Sequence, residues 1–197
     1  AHMVVDGFVQ KLEIKGDNGY GGSFLAPGSL TINGTDDGLS LKQLKAEGHI
    51  LADINVAGDL DKLEAKGGDL GGHIVIGGVA GKIEAKEDDG RGGGLLVDGV
   101  IEVNGAEDGL SLKQMKIEGD LLGEVTVLAC LDKLEVKGGD LGGRVVIGVA
   151  ADKVEIKGDK SNGGAFLTDA VIEVNGSADG MSLKQFKAES ELGGSLT

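Results

Sequence analysis

The stretch Asp61-Lys-Leu-Glu-Ala-Lys-Gly-Gly-Asp-Leu-Gly-Gly72 returns 71 residues later as Asp132-Lys-Leu-Glu-Val-Lys-Gly-Gly-Asp-Leu-Gly-Gly143. The same interval separates Ile32-Asn33-Gly34, Val103-Asn104-Gly105 and Val174-Asn175-Gly176. It also separates Leu41, Leu112 and Leu183, each of which opens a Leu-Lys-Gln triplet. A fixed internal period decides architecture before local propensity does, because each copy buries its apolar face only against its neighbours. The chain reads as a single domain over 1–197. Its super-repeats cover about 2–72, 73–143 and a partial 144–197, and Ala1-His2-Met3 reads as the scar of a cleaved tag.

Each super-repeat divides into three coils. First strands begin near Ile74, Ile101, Val125 and Val145, in steps of 27, 24 and 20 residues. Within a coil, a short alternating run such as His73-Ile-Val-Ile76 precedes a second one such as Lys82-Ile-Glu-Ala-Lys86. A Gly-rich corner follows, then a short third side with one inward Leu: Leu70, Leu121 or Leu122, Leu141, and Leu192. Period-two alternation bounded by Gly is a strand signal, and no stretch sustains a helical period.

Composition narrows the interior. Aromatic residues make up 3% of the chain, with no Trp, against a hydrophobic fraction of 40%. A core of Val, Ile, Leu and Ala without aromatic filler suits a narrow space lined by stacked copies of similar residues. Gly accounts for 38 residues and Pro for 1, which excludes collagen and points to many turns with φ > 0. Sandwich hairpins give no reason for the same residues to recur in every coil. A parallel solenoid does, because equivalent residues stack directly. The expected fold is all-β: a right-handed parallel β-helix or solenoid with three short strands per coil, about eight coils and a rod roughly 40 Å long. Expected inward columns include Ile74, Ile101, Val125, Val145 and Ile172, and Leu44, Leu63, Ile83, Met115, Leu134 and Val154.

The second strands carry outward charges. Two coils in three read Lys, Glu, Lys, as in Lys62, Glu64, Lys66 and Lys82, Glu84, Lys86. The third reads Gln, Lys, Glu, as in Gln114, Lys116, Glu118. The change puts Lys45 and Lys116 between glutamates and relieves like-charge stacking. The columns read as a solvated face, with each exposed pair worth a few tenths of a kcal/mol and the main gain in register.

The charged residues assign no catalytic, cofactor-binding or metal-ligating role, and no cofactor. The loops 34–38, 105–109 and 176–180 are Asp-bearing, but the last keeps only Asp179, too few oxygens for calcium. Glu102, Glu173, Lys116 and Lys187 are each duplicated by the repeat, whereas catalysis needs one unique constellation. Arg91 and Arg144 show no evident partner in the sequence, His73 gives way to Arg144 in the next copy, and Cys130 reads as a buried structural thiol. The net charge of −14 argues against nucleic acid and anionic membrane, and no apolar run is long enough to insert in a bilayer. No small-molecule ligand is indicated.

The units Val/Ile-x-Val/Ile-Gly, Lys-Leu-Glu-Val-Lys-Gly and Gly-Asp-Leu-Gly-Gly resemble the repeat arrays of very large exported bacterial β-helix proteins. The short coils are also similar to those of bactofilins, polymerising cytoskeletal β-helices, from which the long Gly/Asp loops depart. Three near-copies at an unvarying interval fit an engineered repeat scaffold equally well. The resemblance implies an extracellular or cell-surface location for a natural bacterial fragment, and otherwise leaves the compartment open. The expected function is that of a non-enzymatic spacer, adhesin stalk or scaffold. The alternative is a filament former that pairs with itself through exposed coil ends. A polysaccharide-active β-helix is the remote third reading.

Overall fold

The computed structural model describes residues 1–16, 22–34, 38–159, 163–178 and 180–197. Every regular element in them is a β-strand. The chain runs through β1 (His2–Val5), β2 (Leu12–Ile14), β3 (Ser29–Ile32), β4 (Leu39–Ala46), β5 (Asp53–Val56) and β6 (Asp59–Lys66). It continues through β7 (His73–Ile76), β8 (Ala80–Lys86), β9 (Val100–Val103), β10 (Leu110–Ile117), β11 (Glu124–Val127) and β12 (Cys130–Lys137). The last five are β13 (Arg144–Ile147), β14 (Ala151–Lys157), β15 (Val171–Val174), β16 (Leu183–Ala188) and β17 (Ser195–Leu196).

The odd-numbered strands form a nine-stranded sheet and the even-numbered strands an eight-stranded sheet, both parallel and both in chain order. The chain therefore alternates between two sheets that grow side by side, an arrangement consistent with a parallel β-solenoid. A third line of contact is thinner. Phe24, Ile50, Leu70, Leu95, Leu121, Leu141, Phe166 and Leu192 each bridge in parallel to the next, one residue at a time. The third strand expected per coil is thus a single bridging residue. The glycines that follow it, such as Gly71-Gly72 and Gly142-Gly143, turn the chain before a second pair forms.

Alternation sets the core. In β7, Ile74 and Ile76 are fully buried, and in β11 Val125 and Val127 are almost so. Register places Ile74 opposite Ile101, Ile101 opposite Val125, and Val125 opposite Val145. On the other sheet, Leu44, Leu63, Ile83, Met115, Leu134 and Val154 form one column at 0% exposure. Leu121 is the inward residue of its coil and Leu122 points away, which resolves the open choice between them.

Three features depart from the sequence reading. Two-residue hairpins, not only glycine corners, close the projecting loops: antiparallel bridges join Asp88 to Arg91 and Glu107 to Leu110. Asp89 and Asp108 adopt positive φ at those tips, followed by Gly90 and Gly109, the Asp-Gly pairing that such turns require. Bulges in β4 and β10 bury Ser40 and Ser111, whose hydroxyls accept the amides of Gly58 and Ala129 at 2.9 Å. Cys130, expected inside, is only half-buried, because it stands at the strand start where that bulge begins. Asp36, Asp37 and Asp179, weighed above for calcium, lie outside the described residues.

Candidate functional site

The face of the even-numbered strands holds the densest constellation of charge. Register seats Lys45 between Glu13 and Glu64, and Lys116 between Glu84 and Glu135, as the repeat predicts. Like charges still meet in the other coils. Glu64 stands opposite Glu84 and Glu135 opposite Glu155, each flanked by paired lysines.

Diagonal ion pairs resolve the conflict. Lys82 and Lys62 approach Glu84 at 2.7 and 3.1 Å, and Lys86 at 3.3 Å. Lys62 also holds Glu64. Around Glu155, Lys153 lies at 2.9 Å and Lys157 at 3.1 Å, while Lys133 reaches Glu135 as well. Three glutamates are not solvated: Glu64, Glu84 and Glu155 are 6%, 1% and 4% exposed, covered by the lysine stems. Around them the face is a layer of buried carboxylates beneath ammonium groups, which corrects the solvated reading there; Glu13, Glu118 and Glu189 remain partly or fully exposed.

Burial pushes the Glu84 carboxyl up. The hydrogen bond from Lys82 and the close charges of Lys62 and Lys86 outweigh it, and the group is held down at about 2. The same balance, with Lys153 and Lys157, holds Glu155 at about 2. One carboxylate oxygen of each, Oε2, has ammonium groups at ion-pair distance but no hydrogen bond of good angle. It is stabilised by charge rather than by a directed bond.

Most of the residues weighed for chemistry are held in ion pairs and hydrogen bonds. Arg144, unpartnered by sequence, donates to Glu124 at 2.8 Å and Glu173 at 2.7 Å, one strand away on either side. His73 occupies the matching place one super-repeat earlier and meets Glu102 at 3.0 Å. Hydrogen bonds from His73 and Asn104 hold the Glu102 carboxyl below its ordinary range. Lys116 is engaged by Glu118, and Lys187 by Glu189 at 2.6 Å.

A side-chain ladder that the sequence reading missed runs beside the single-residue bridges. Ser23 Oγ accepts the His49 amide, His49 Nδ1 the Asp69 amide, and Asp69 Oδ1 the Gly94 amide. Asp120 accepts the amide of Asp140, and Asp140 that of Ala165. One bridge per coil leaves a neighbouring N–H unpaired, and these side chains supply the missing acceptor. The signal in the sequence is the polar residue before most of the inward apolar ones, with Gly94 and Ala165 the exceptions.

An open cleft of about 640 Å³ lies beside the loop 87–94, lined by Glu47, His49, Lys66, Asp88 and Arg91 among others. A smaller one of about 180 Å³ recurs one super-repeat on, with Glu118, Lys137 and Asp159 in the places of Glu47, Lys66 and Asp88. Lys66 pairs with Asp88 at 3.1 Å, and Glu47 accepts the Gly16 amide at 3.2 Å. Each of these contacts ties the end of a strand to a neighbouring loop. Comparison with known proteins found no matching family model, no matching curated protein and no matching solved structure.

Proposed function

We propose that this chain is a non-enzymatic structural rod: a rigid spacer, stalk or scaffold segment. We read it as a right-handed solenoid of about eight three-sided coils in a 71-residue, three-coil period. The observation that carries this reading is the unbroken interior. The column from Leu44 to Val154 passes through six consecutive strands with every member fully buried and in register. A stack of this kind holds spacing along its axis, because each coil is fixed to the next by two backbone ladders and by packed side chains. The parallel bridges from Phe24 to Leu192 support a third side. Handedness follows the general preference of parallel crossovers.

A distance measurement tests rigidity. Thr31 and Val146 occupy one outward column of the nine-stranded sheet, joined through Asn55, Val75, Glu102 and Thr126. Five strand spacings put them about 24 Å apart. Spin labels at these positions are expected to give one narrow distance near that value. A broad distribution, or a distance that does not scale with the number of strands between labels, overturns the rod.

A further inference from the structure

We propose that the lysine-bearing face of the even-numbered strands docks the leucine-lined side of a second copy of this chain. The first observation is charge segregation. The chain is acidic, at −14 overall, yet those eight strands carry 14 of its 17 lysines and only 9 of its 33 carboxylates. Burial sharpens the contrast. The side chains of Glu64, Glu84 and Glu155 are 8%, 2% and 6% exposed, against 29% to 44% for Lys62, Lys82 and Lys66. In the Lys, Glu, Lys columns of this face solvent meets ammonium groups, with the exposed Asp61, Asp132 and Asp152 along one margin of the same strands, and carboxylates predominate over the rest of the rod.

The second observation is the surface that could receive it. One residue beyond each bridging residue the chain points outward, and there Leu25, Leu96 and Leu167 recur at 71-residue intervals, each exposed. Leu51 and Leu122 stand beside them, half-buried. Acidic residues border this row on both sides: Asp120 and Asp140 before the bridges, Asp98 and Asp169 after them. Lysine suits such a surface, since its stem covers apolar atoms while its ammonium reaches the acidic rim.

The two patterns also share a period. The lysine columns change every third coil, and the outward row reads Leu, Leu, Gly over the same three coils, about 14 Å along the axis. A second copy matches that period by construction. The contact joins two different faces, so it does not close into a dimer and adds copies side by side. Overall like charge opposes approach, which makes the association dependent on face and on salt.

Sedimentation velocity on the whole chain tests this with variants distant from the interior. Lys42, Lys113 and Lys137 are exposed and stand apart from the buried glutamates. At low ionic strength the chain is expected to form dimers and larger species as concentration rises, and to revert to monomer near 1 M salt, where screening acts within about 3 Å. The triple variant Lys42→Glu, Lys113→Glu, Lys137→Glu is expected to stay monomeric at low salt, as is Asp98→Lys with Asp169→Lys. A mixture of the two variants is expected to associate again, because the unaltered leucine-lined side of the first meets the unaltered lysine face of the second and the two reversed faces are also complementary. Unchanged circular dichroism of both variants assures that the fold is intact. A monomer at every salt concentration, association that ignores both variants, or binding of a soluble polyanion such as polyglutamate without self-association overturns the proposal.

Discussion

Glu64 and Glu84 face each other on neighbouring parallel strands, two like carboxylates in direct register, and Lys62 reaches both. Lys86 bridges the same two from the other side, at 3.6 and 3.3 Å. A column of identical charge is tolerated because the lysines of adjacent coils pair diagonally. Replacing Lys62 with Met should therefore cost about 2–3 kcal/mol, since it leaves buried carboxylates short of compensation. Adding Glu84→Leu to that variant should recover most of the loss. Urea denaturation of the two single variants and the double variant gives the coupling energy; additive losses would show that the pairing carries no weight.

Acid should loosen the fold through the same groups. Glu84 and Glu155 are held at about 2, below the ordinary 4.5 of a glutamate. A depressed folded value means that the unfolded chain takes up protons first as pH falls. The stabilisation is thus complete above about pH 4.5 and is lost progressively towards pH 2, on the order of 1–2 kcal/mol per group after allowance for solvent screening. The urea midpoint should fall between about pH 5 and pH 3, and less steeply in a Glu84→Gln, Glu155→Gln variant. Parallel curves for the two proteins would contradict this account.

The interior was legible in the sequence because two constraints coincide there. Period-two alternation fixes which side chain points inward, and the 71-residue period fixes which residues stack, so Ile74, Ile101 and Val125 could be named as a column. Where a side contributes one residue, alternation has nothing to phase it, and Leu121 and Leu122 could not be told apart. The charged face was legible as columns but not as a layer. Burial of Glu84 depends on Lys62, one strand away and two positions along, and on Lys86, two positions along its own strand, which a column-by-column reading does not join. One partner of Arg144 was hidden for the same reason, since Glu173 lies diagonally from it, opposite Val146, whereas Glu124 stands directly opposite. The cleft beside the loop 87–94 depends on how that loop folds back, and the local sequence does not fix that.

The polar ladder beside the bridges should show itself at single amides. Asp140 Oδ1 accepts the Ala165 N–H at 2.9 Å. Asp140→Ala removes that acceptor and should cost about 1 kcal/mol, while Asp140→Asn, which keeps a side-chain oxygen, should cost clearly less. Hydrogen exchange at Ala165 should speed up in the alanine variant and stay near the parent rate in the asparagine variant. Equal exchange in both would mean that the side chain is not the amide's acceptor.

Glycine content was read as a need for positive φ, and stacking supplies a second reason. At Gly148 the backbone lies outside the left-handed region, yet an added Cβ would collide with the Leu128 carbonyl oxygen of the preceding coil. At Gly109 the situation is reversed: φ is +83° and nothing lies within 4 Å of an added Cβ. Gly109→Ala should therefore cost about 1 kcal/mol, the conformational penalty alone. Gly148→Ala must push apart neighbouring coils that sit one hydrogen-bond spacing from each other, and should cost about 3 kcal/mol or more. Thermal or urea unfolding of the two variants separates the causes. If Gly148→Ala proved as mild as Gly109→Ala, close approach between coils would not be what keeps that corner glycine.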